Sequence, residues 1–209
     1  MSKLGARRSA WKVQRALLCE LPGLGKTGAL ERRPYPPGDH GMKRKKFSEY
    51  ALRLREKQKI LFHYGLREEQ LKRFVRNAKS SPSTDWMDTL IGDLECRLDS
   101  VLFRLGFAPS IPAARQMIRH NHVLVNGKRL NIPSALVKVG FQITLVPKAY
   151  QSHSYLQAKE RPRLLLPGFL GKQMVGDQEV GVLKDRPHSG DIPFEFEKSL
   201  VTEYYSKIG

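Results

Sequence analysis

The chain has 209 residues, of which 37 are Lys or Arg and 20 are Asp or Glu, so its formal net charge is +17. At this length about 70% of the unfolded surface can be buried, which suffices for one or two domains with a hydrophobic core. No apolar run reaches the roughly 18 residues that a membrane-spanning helix needs, and the first twenty residues have no secretory signal, which argues against membrane and secreted classes. Two distant cysteines, Cys19 and Cys96, disfavour a disulfide framework and fit a reducing compartment.

The positive charge is concentrated in the first quarter of the chain. Residues 1–59 carry +11, residues 60–91 carry +1, residues 92–150 carry +5, and residues 151–209 carry no net charge. Repeated cations along a surface indicate a polyanionic partner, and nucleic acid is the usual one. A solubilising basic segment and an anionic membrane surface are the alternatives.

Residues 1–46 are rich in Pro and Gly and lack a sustained period, so we predict an extended basic arm that becomes ordered on binding. Residues 23–28 fit the pattern GxGxxG. A dinucleotide loop must follow a strand and open a helix, whereas here Pro22 precedes the pattern and Pro34 follows it. We therefore predict no nucleotide cofactor at these glycines.

Helical periodicity begins after the arm. Ser48 is a suitable N-cap for a helix that runs to about His63 and ends at Gly65, and a second helix is predicted over 67–78. An apolar face that continues from Met87 to Leu105 predicts one helix of five turns, with Thr84 as its cap and Gly106 behind it.

A further helix is predicted from Ser110 to about His120, and the period then changes to that of strands. Residues 123–125 and 128–130, joined by Asn126-Gly127, predict a hairpin, and residues 142–146 predict another strand. Between 150 and 190, five glycines predict loops between short strands such as 163–166. Apolar residues at 200–205 predict a short amphipathic helix that docks onto an earlier part of the chain.

No pattern in the sequence supports catalysis or a metal site. His120 and His122 lie two residues apart without further ligands nearby, so we interpret them as histidines of a basic surface. Asp93, Glu95 and Asp99 have helical spacings that suit ion pairs with Arg97 or Arg104. We therefore predict that the chain is not an enzyme and binds no cofactor.

The cations of residues 92–150 lie on two predicted helices and a hairpin, where they could converge on one ridge. Lysine and arginine on a rigid scaffold match the phosphates of folded RNA, and arginine adds bidentate contacts and stacking. A helix in a DNA major groove is the alternative, but few side chains suited to reading bases are present. The pattern favours recognition of RNA shape and phosphate.

Several motifs, in order along the chain, resemble those of the family of the universal small ribosomal subunit protein four in its bacterial or organellar form. The matching blocks are residues 33–41, 48–50, 54–59, 62–66, 97–99, 103–108, 114–116, 122–128 and 203–206. Because only Cys19 stands where many members have a cysteine quartet for zinc, the chain is similar to the zinc-free variant.

The resemblance implies an α+β fold in three parts. These are an extended arm over 1–46, a mostly helical domain over 47–91 completed by 192–209, and an inserted RNA-binding domain over 92–191 made of two helices and a small antiparallel sheet. It also implies a primary binder of small-subunit ribosomal RNA that nucleates assembly of the 5′ domain and contributes to translational accuracy. Further implied partners are neighbouring small-subunit proteins and messenger RNA, in a cytoplasmic or organellar ribosome.

The residues expected to contact RNA are cationic, aromatic or amide side chains of the matching segments. They are Arg33, Tyr35, His40, Lys43, Arg44, Lys45, Lys46, Tyr50, Arg53, Arg55, Lys57, Lys59, Arg104, Arg115, Arg119, His120, His122, Asn126, Lys128 and Arg129. Two alternatives stay open at this point. One is an RNA-modifying enzyme that carries a similar module at 92–150, although the remaining segments are short for a catalytic domain. The other is a DNA-binding regulator.

Overall fold

A computed structural model describes residues 9–25, 27–43, 46–82, 85–176 and 178–207. The helices of these residues are α1 (Ala10–Leu17), α2 (Ala29–Arg32), α3 (Glu49–His63), α4 (Glu68–Lys79), α5 (Trp86–Glu95), α6 (Leu98–Arg104), α7 (Ile111–Arg119), α8 (His153–Glu160) and α9 (Lys198–Lys207). The strands are β1 (Val123–Val125), β2 (Lys128–Arg129), β3 (Gln142–Leu145), β4 (Leu170–Val175) and β5 (Gln178–Leu183). They form one antiparallel sheet in the order β2-β1-β3-β5-β4, which confirms the α+β class.

The chain divides into two units, residues 1–66 with 193–209 and residues 67–192. The first unit is helical, and α3 packs against α9 within it. Ser48 caps α3, since its Oγ accepts a hydrogen bond from the backbone N–H of Ala51. Val201, Tyr204 and Tyr205 of α9 are buried, which confirms the amphipathic helix predicted at the C-terminus.

The prediction of extended backbone over 1–46 was wrong for α1 and α2. Val13 and Leu17 of α1 are buried, and so is Gln14, which is 2% exposed. The Gln14 amide accepts a hydrogen bond from the N–H of Leu21 and donates one to the carbonyl of Leu24. An eight-residue helix whose buried face includes a glutamine gives too little apolar periodicity for recognition from sequence.

In the second unit, the predicted helix from Met87 to Leu105 is two helices, α5 and α6. Between them, Arg97 has the extended torsion angles φ −64° and ψ 140°. The carbonyl of Cys96 accepts from the N–H of Val137, and the N–H of Leu98 donates to the carbonyl of Ala135, each at 2.8 Å. Pairing with residues 135–137 therefore replaces the helical hydrogen bonds, although the apolar face continues across the break.

The cap of α5 is Asp85, whose Oδ1 accepts from the N–H of Met87 at 2.8 Å. Thr84, the predicted cap, lies outside the described residues. Ser110 caps α7 as predicted.

The predicted hairpin is confirmed by β1 and β2. Asn126 and Gly127 have φ angles of 49° and 76°, and two positive values in a two-residue turn match the twist of the flanking strands. Strand β3 pairs with β1, and the buried Val123, Ile143 and Leu145 face a core that α6 and α7 complete.

Between 150 and 190 the structure differs from the prediction. Residues 163–166 form no strand, whereas α8, β4 and β5 were not predicted. Gly171 and Gly181 lie inside strands. A Cβ at Gly181 would collide with the Leu105 side chain, whereas one at Gly171 would meet only the flexible end of Lys184. Gly181 therefore marks a close approach within the sheet rather than a loop.

Among the helices that the structure describes, none combines the length and the apolar composition that crossing a membrane requires.

Candidate nucleic-acid interface

The second unit has a cluster of exposed polar and cationic groups where α7 meets β1. Arg119 lies in the last turn of α7, and His120 follows it as the C-cap; both are exposed. Asn121 takes a φ of 59°, and the N–H of His122 bonds to the carbonyl of Met117 at 3.0 Å. This tight turn places the rings of His120 and His122 with their centroids 6.0 Å apart.

The register of the hairpin brings two more cations to the same end of the sheet. Lys128 pairs with Val125 and Arg129 with Leu124, which is two residues after His122. Neighbouring strands lie about 4.8 Å apart, so the backbone of Arg129 lies beside that of Leu124. Lys128 and Arg129 are exposed on β2, an edge strand of the sheet. We call Arg119, His120, His122, Lys128 and Arg129 the hairpin surface.

Asn126 shapes the turn beside this surface. Its Oδ1 accepts from the N–H of Gln142, and its own N–H donates to the carbonyl of Gln142, both at 2.9 Å. The side chain therefore fixes the hairpin to β3 and holds Lys128 at its position.

Two arginines expected on the same ridge form ion pairs within the unit instead; Arg104 is buried and Arg115 is partly exposed. Arg104 is 6% exposed; its Nε lies 3.1 Å from Glu95 Oε2, and its Nη2 donates to the carbonyl of Asp191. The Nε of Arg115 lies 2.6 Å from Asp99 Oδ2. The single ridge predicted from the sequence is therefore wrong for these two residues, because carboxylates from neighbouring helices hold them.

In the first unit, the loop between α2 and α3 exposes several of the predicted residues. Arg33, His40, Lys43 and Lys46 are exposed, and Tyr35 is half-buried. Arg44 and Lys45 lie outside the described residues.

The α3 residues predicted to contact RNA differ in their exposure and in their contacts within the unit. Tyr50 is 57% exposed, and its ring centroid is 6.2 Å from that of Tyr204. Arg53 forms ion pairs with Glu49 and Glu203 at 2.9 and 2.6 Å. The hydrogen bond to Glu203 raises the pKa of Arg53.

Three further α3 cations contact neighbours within the unit. The guanidinium of Arg55 lies over the Phe47 ring at 5.1 Å. Lys57 is 4% exposed and lies over the Tyr204 ring at 5.1 Å. Lys59 forms an ion pair with Glu56 at 2.8 Å and donates to the carbonyl of Glu195 at 3.0 Å. Of these three, Lys59 is neutralised by a carboxylate and Lys57 is buried, whereas Arg55 keeps its charge beside the Phe47 ring.

The ion pairs predicted for Asp99 and Glu95 are confirmed. Arg97, which is buried, donates to both oxygens of Asp99. Arg104 pairs with Glu95.

One group of residues in α1 and α2 was not predicted from the sequence. Trp11, Arg15 and Arg32 line a cleft with Arg33. Trp11 and Arg15 are four residues apart, which places them on one face of a helix. This spacing indicates a shared site only if a helix is assumed in this segment.

In the described part of the chain, no group of three or more His, Cys, Asp or Glu side chains could hold a metal ion. Burial raises the pKa of the Cys19 thiol and raises that of Cys96 to about 11. Both thiols are therefore protonated at neutral pH and poorly suited to bind a metal as thiolates.

The fold and these surfaces define an α+β protein with exposed cations at a hairpin and in a loop. Other cations of each unit pair with carboxylates of the same unit. Comparison with known families gives two adjoining matches. Residues 6–95 match the family described as "Ribosomal protein S4/S9 N-terminal domain", and residues 96–143 match the "S4 domain".

Relatives match over nearly their whole length. The chain is 58% identical to "Small ribosomal subunit protein uS4B" of Bdellovibrio bacteriovorus, over 95% of this chain and 96% of the relative. It is 42% identical to "Small ribosomal subunit protein uS4" of Methylobacillus flagellatus, with 93% and 94% covered. It is 40% identical to "Small ribosomal subunit protein uS4B" of Nitrosomonas europaea, also with 93% and 94% covered. The chain belongs to the uS4 family of ribosomal proteins, as the sequence motifs predicted.

Proposed function

We propose that this chain is a structural component of the small ribosomal subunit and binds the ribosomal RNA of that subunit. The observation that carries the proposal is the family match, which spans both structural units and extends over more than nine-tenths of relatives that are named as small-subunit proteins. These relatives are not enzymes, so the alternative of an RNA-modifying enzyme is not favoured. No observation on this chain favours a DNA-binding regulator.

The exposed cations give this proposal a physical basis. The hairpin surface supplies three exposed cationic side chains, Arg119 at the end of α7 and Lys128 and Arg129 on β2. Each one that neutralises a phosphate releases condensed counterions, so binding should weaken steeply as salt rises. The histidines at 120 and 122 are planar rings that can stack on an unpaired base.

In the first unit we include the exposed residues of the loop before α3 and at the start of α3, which are Arg33, His40, Lys43, Lys46 and Tyr50. The half-buried Tyr35 and the predicted Arg44 and Lys45 belong to the same segment. We leave out Arg53, Lys59, Arg104 and Arg115, because each pairs with a carboxylate of its own unit, and Lys57, because it is buried. Arg55 contacts the Phe47 ring, which does not neutralise it, so it stays in the proposed interface.

The finer role follows from the resemblance of the sequence motifs. The chain nucleates assembly of the 5′ domain of the RNA, contributes to translational accuracy, contacts neighbouring small-subunit proteins and lies near messenger RNA. It acts in a cytoplasmic or organellar ribosome. We keep the division at residues 46, 91 and 192 as a proposal. The boundary between the two family matches at 95 and 96 supports the division near 91, although residues 67–91 belong to the second structural unit. The end of that unit at 192 supports the last division.

Two measurements test the proposal. Sedimentation of a cell extract through a sucrose gradient should place the chain in the small-subunit peak. The purified chain should bind a transcript of the 5′ domain of small-subunit ribosomal RNA more tightly than duplex DNA of equal length. Absence from the peak, together with equal affinity for the RNA and the duplex, would overturn the proposal.

A further inference from the structure

The first unit contains a cleft of about 270 Å³ lined by Trp11, Arg15, Ala29, Arg32 and Arg33. We propose that this cleft binds a single unstacked nucleotide of the bound RNA, with the base against Trp11 and the phosphate between the arginines. The inference rests on the proposed function and adds a site at which one nucleotide is held apart from its neighbours.

The walls of the cleft are held in place by buried polar contacts. Gln14, next to the lining residues on α1, bonds to the backbone of Leu21 and Leu24. Glu20 Oε1 accepts from the N–H of Leu30 at 3.3 Å and so fixes the start of α2. At Gly25, an added Cβ would lie 2.9 Å from the Cβ of Ala10, so the connecting loop lies directly against α1. The two helices therefore form the cleft without a ligand.

One wall is apolar and aromatic. Trp11 is half-buried on α1, and Ala29 is buried on α2. Stacking on an aromatic ring is the sequence-tolerant way in which proteins hold an unpaired base. The volume is near the lower limit of roughly 300 Å³ for ligand pockets, which suits one nucleotide and excludes a duplex.

The other side carries uncompensated positive charge. Arg15 donates to the carbonyls of Tyr35 and Pro36 at 2.9 and 3.2 Å, and its guanidinium lies over the Tyr35 ring at 5.0 Å. Carbonyls and a ring orient this guanidinium but do not neutralise it. Neither Arg15 nor Arg32 nor Arg33 forms an ion pair with a carboxylate in the described part of the chain. Three such guanidinium groups around a small cleft favour a phosphate, which arginine binds through paired N–H groups.

Base stacking and phosphate binding within one small cleft define a nucleotide as the ligand. The same chemistry would accept a free nucleoside monophosphate, so the test must separate the two sources. The ligand that we propose is a nucleotide of the bound RNA.

The full chain has two tryptophans and seven tyrosines, so in the variant Trp86→Phe selective excitation of tryptophan reports on Trp11 alone. We expect the emission of Trp11 to be quenched in proportion to binding of the 5′-domain transcript. Trp11→Leu should weaken RNA binding roughly 5- to 150-fold without changing the salt slope, because stacking releases no counterions. The matched control Trp11→Tyr keeps an aromatic face and should bind within about threefold of the unsubstituted chain.

Arg33→Gln should instead lower the salt slope by about one unit, since it removes a phosphate contact. Unchanged Trp11 emission in a chain that still binds the RNA would overturn this inference and leave the proposed function intact. This readout also decides the matter if Trp11→Leu does not fold. If adenosine 5′-monophosphate quenches Trp11 saturably and the transcript does not displace it, then the cleft binds a free nucleotide and the inference is overturned. If the unsubstituted chain binds no ribosomal RNA, the proposed function itself fails.

Discussion

The Nε of Arg115 donates a hydrogen bond to Oδ2 of Asp99 across 2.6 Å, and this carboxylate is fully buried. Arg97 donates to both oxygens of the same carboxylate at 3.0 and 2.8 Å. One buried anion thus holds two guanidinium groups and connects the start of α6 to α7. An arginine that the sequence assigns to RNA therefore stabilises the second unit instead.

Asp99→Asn is expected to destabilise the protein strongly. The substitution leaves the buried Arg97 and the partly buried Arg115 without their counter-charge, and breaking a buried pair costs about 3–5 kcal/mol. Urea unfolding at neutral pH measures this loss. Asp93→Asn is the matched control: Asp93 pairs with the exposed Arg186 at 2.9 Å, so its loss should cost less than about 1 kcal/mol. Equal urea midpoints for the two variants would contradict the role given to Asp99.

Arg119→Ala and Arg115→Ala should affect different properties, although both residues lie on α7. Arg119 is exposed on the hairpin surface, so its removal should lower the salt slope of RNA binding by about one unit and leave stability unchanged. Arg115→Ala should lower the unfolding free energy and leave the salt slope of the folded protein unchanged. Salt titrations of binding and urea unfolding of both variants test this contrast, and the reverse assignment would remove Arg119 from the proposed interface.

Local signals in the sequence were sufficient to predict α7 and the β1–β2 hairpin, which carry the hairpin surface. Ser110 and the Asn126-Gly127 pair have side-chain or backbone chemistry that fixes a cap or a turn within a few residues. The exposure of a cation has no such local signal. Arg104 pairs with a carboxylate nine positions earlier and Arg115 with one sixteen positions earlier, so only the packed structure shows which arginines remain exposed.

The break between α5 and α6 and the strands β4 and β5 escaped prediction for a related reason. Residues 96–98 leave the helix because backbone groups at 135–137 bond to them, and these groups are distant in the sequence. Gly181 has the local signature of a loop, yet it pairs with Ile143 of β3 and Lys172 of β4 in the sheet, and the Leu105 side chain fills the space where a Cβ would project. In both cases, contacts with residues that are distant in the sequence determine the local backbone structure.

Gly181→Ala should destabilise the second unit. The added methyl group would collide with Leu105, which is 2% exposed in the core, and overpacking of this kind costs about 1–3 kcal/mol. Thermal unfolding measures the change. Gly168→Ala is a matched control, since its Cβ would meet nothing within 4 Å, and it should leave the midpoint unchanged or slightly raised. If the two variants melt together, the close approach to Leu105 does not constrain β5.

Hydrogen exchange should distinguish α1 from the loop that follows α2. Val13, Gln14 and Leu17 are buried, and Gln14 ties the helix to residues 21–24, so the helical amides of α1 should be protected in the free protein. Exposed residues 38–40 should exchange fast in the free protein and slowly in the assembled subunit. Equal exchange rates for the two segments in the free protein would contradict a stable α1 and would favour the extended arm predicted from the sequence.

Glu179 should make stability depend on pH in the acid range. Burial alone would raise the pKa of this carboxyl, but hydrogen bonds from Lys172 at 2.8 Å and from Lys159 outweigh it and lower the pKa in the folded protein. The ion pairs therefore stabilise the folded state above the ordinary glutamate pKa of about 4.3, and this contribution is lost as the pH falls through the lowered value.

Because the pairs are partly exposed, Glu179→Gln should cost no more than about 1 kcal/mol at pH 7. The difference from the unsubstituted chain should begin to shrink below the ordinary glutamate pKa of about 4.3 and approach zero as the pH falls through the lowered pKa. Urea unfolding from pH 7 to pH 3 measures both. Glu160→Gln, at an exposed residue of α8, is the control and should follow the unsubstituted chain at every pH. If the Glu179→Gln difference stays constant down to pH 3, then the two lysines do not favour the ionised carboxylate in the folded state.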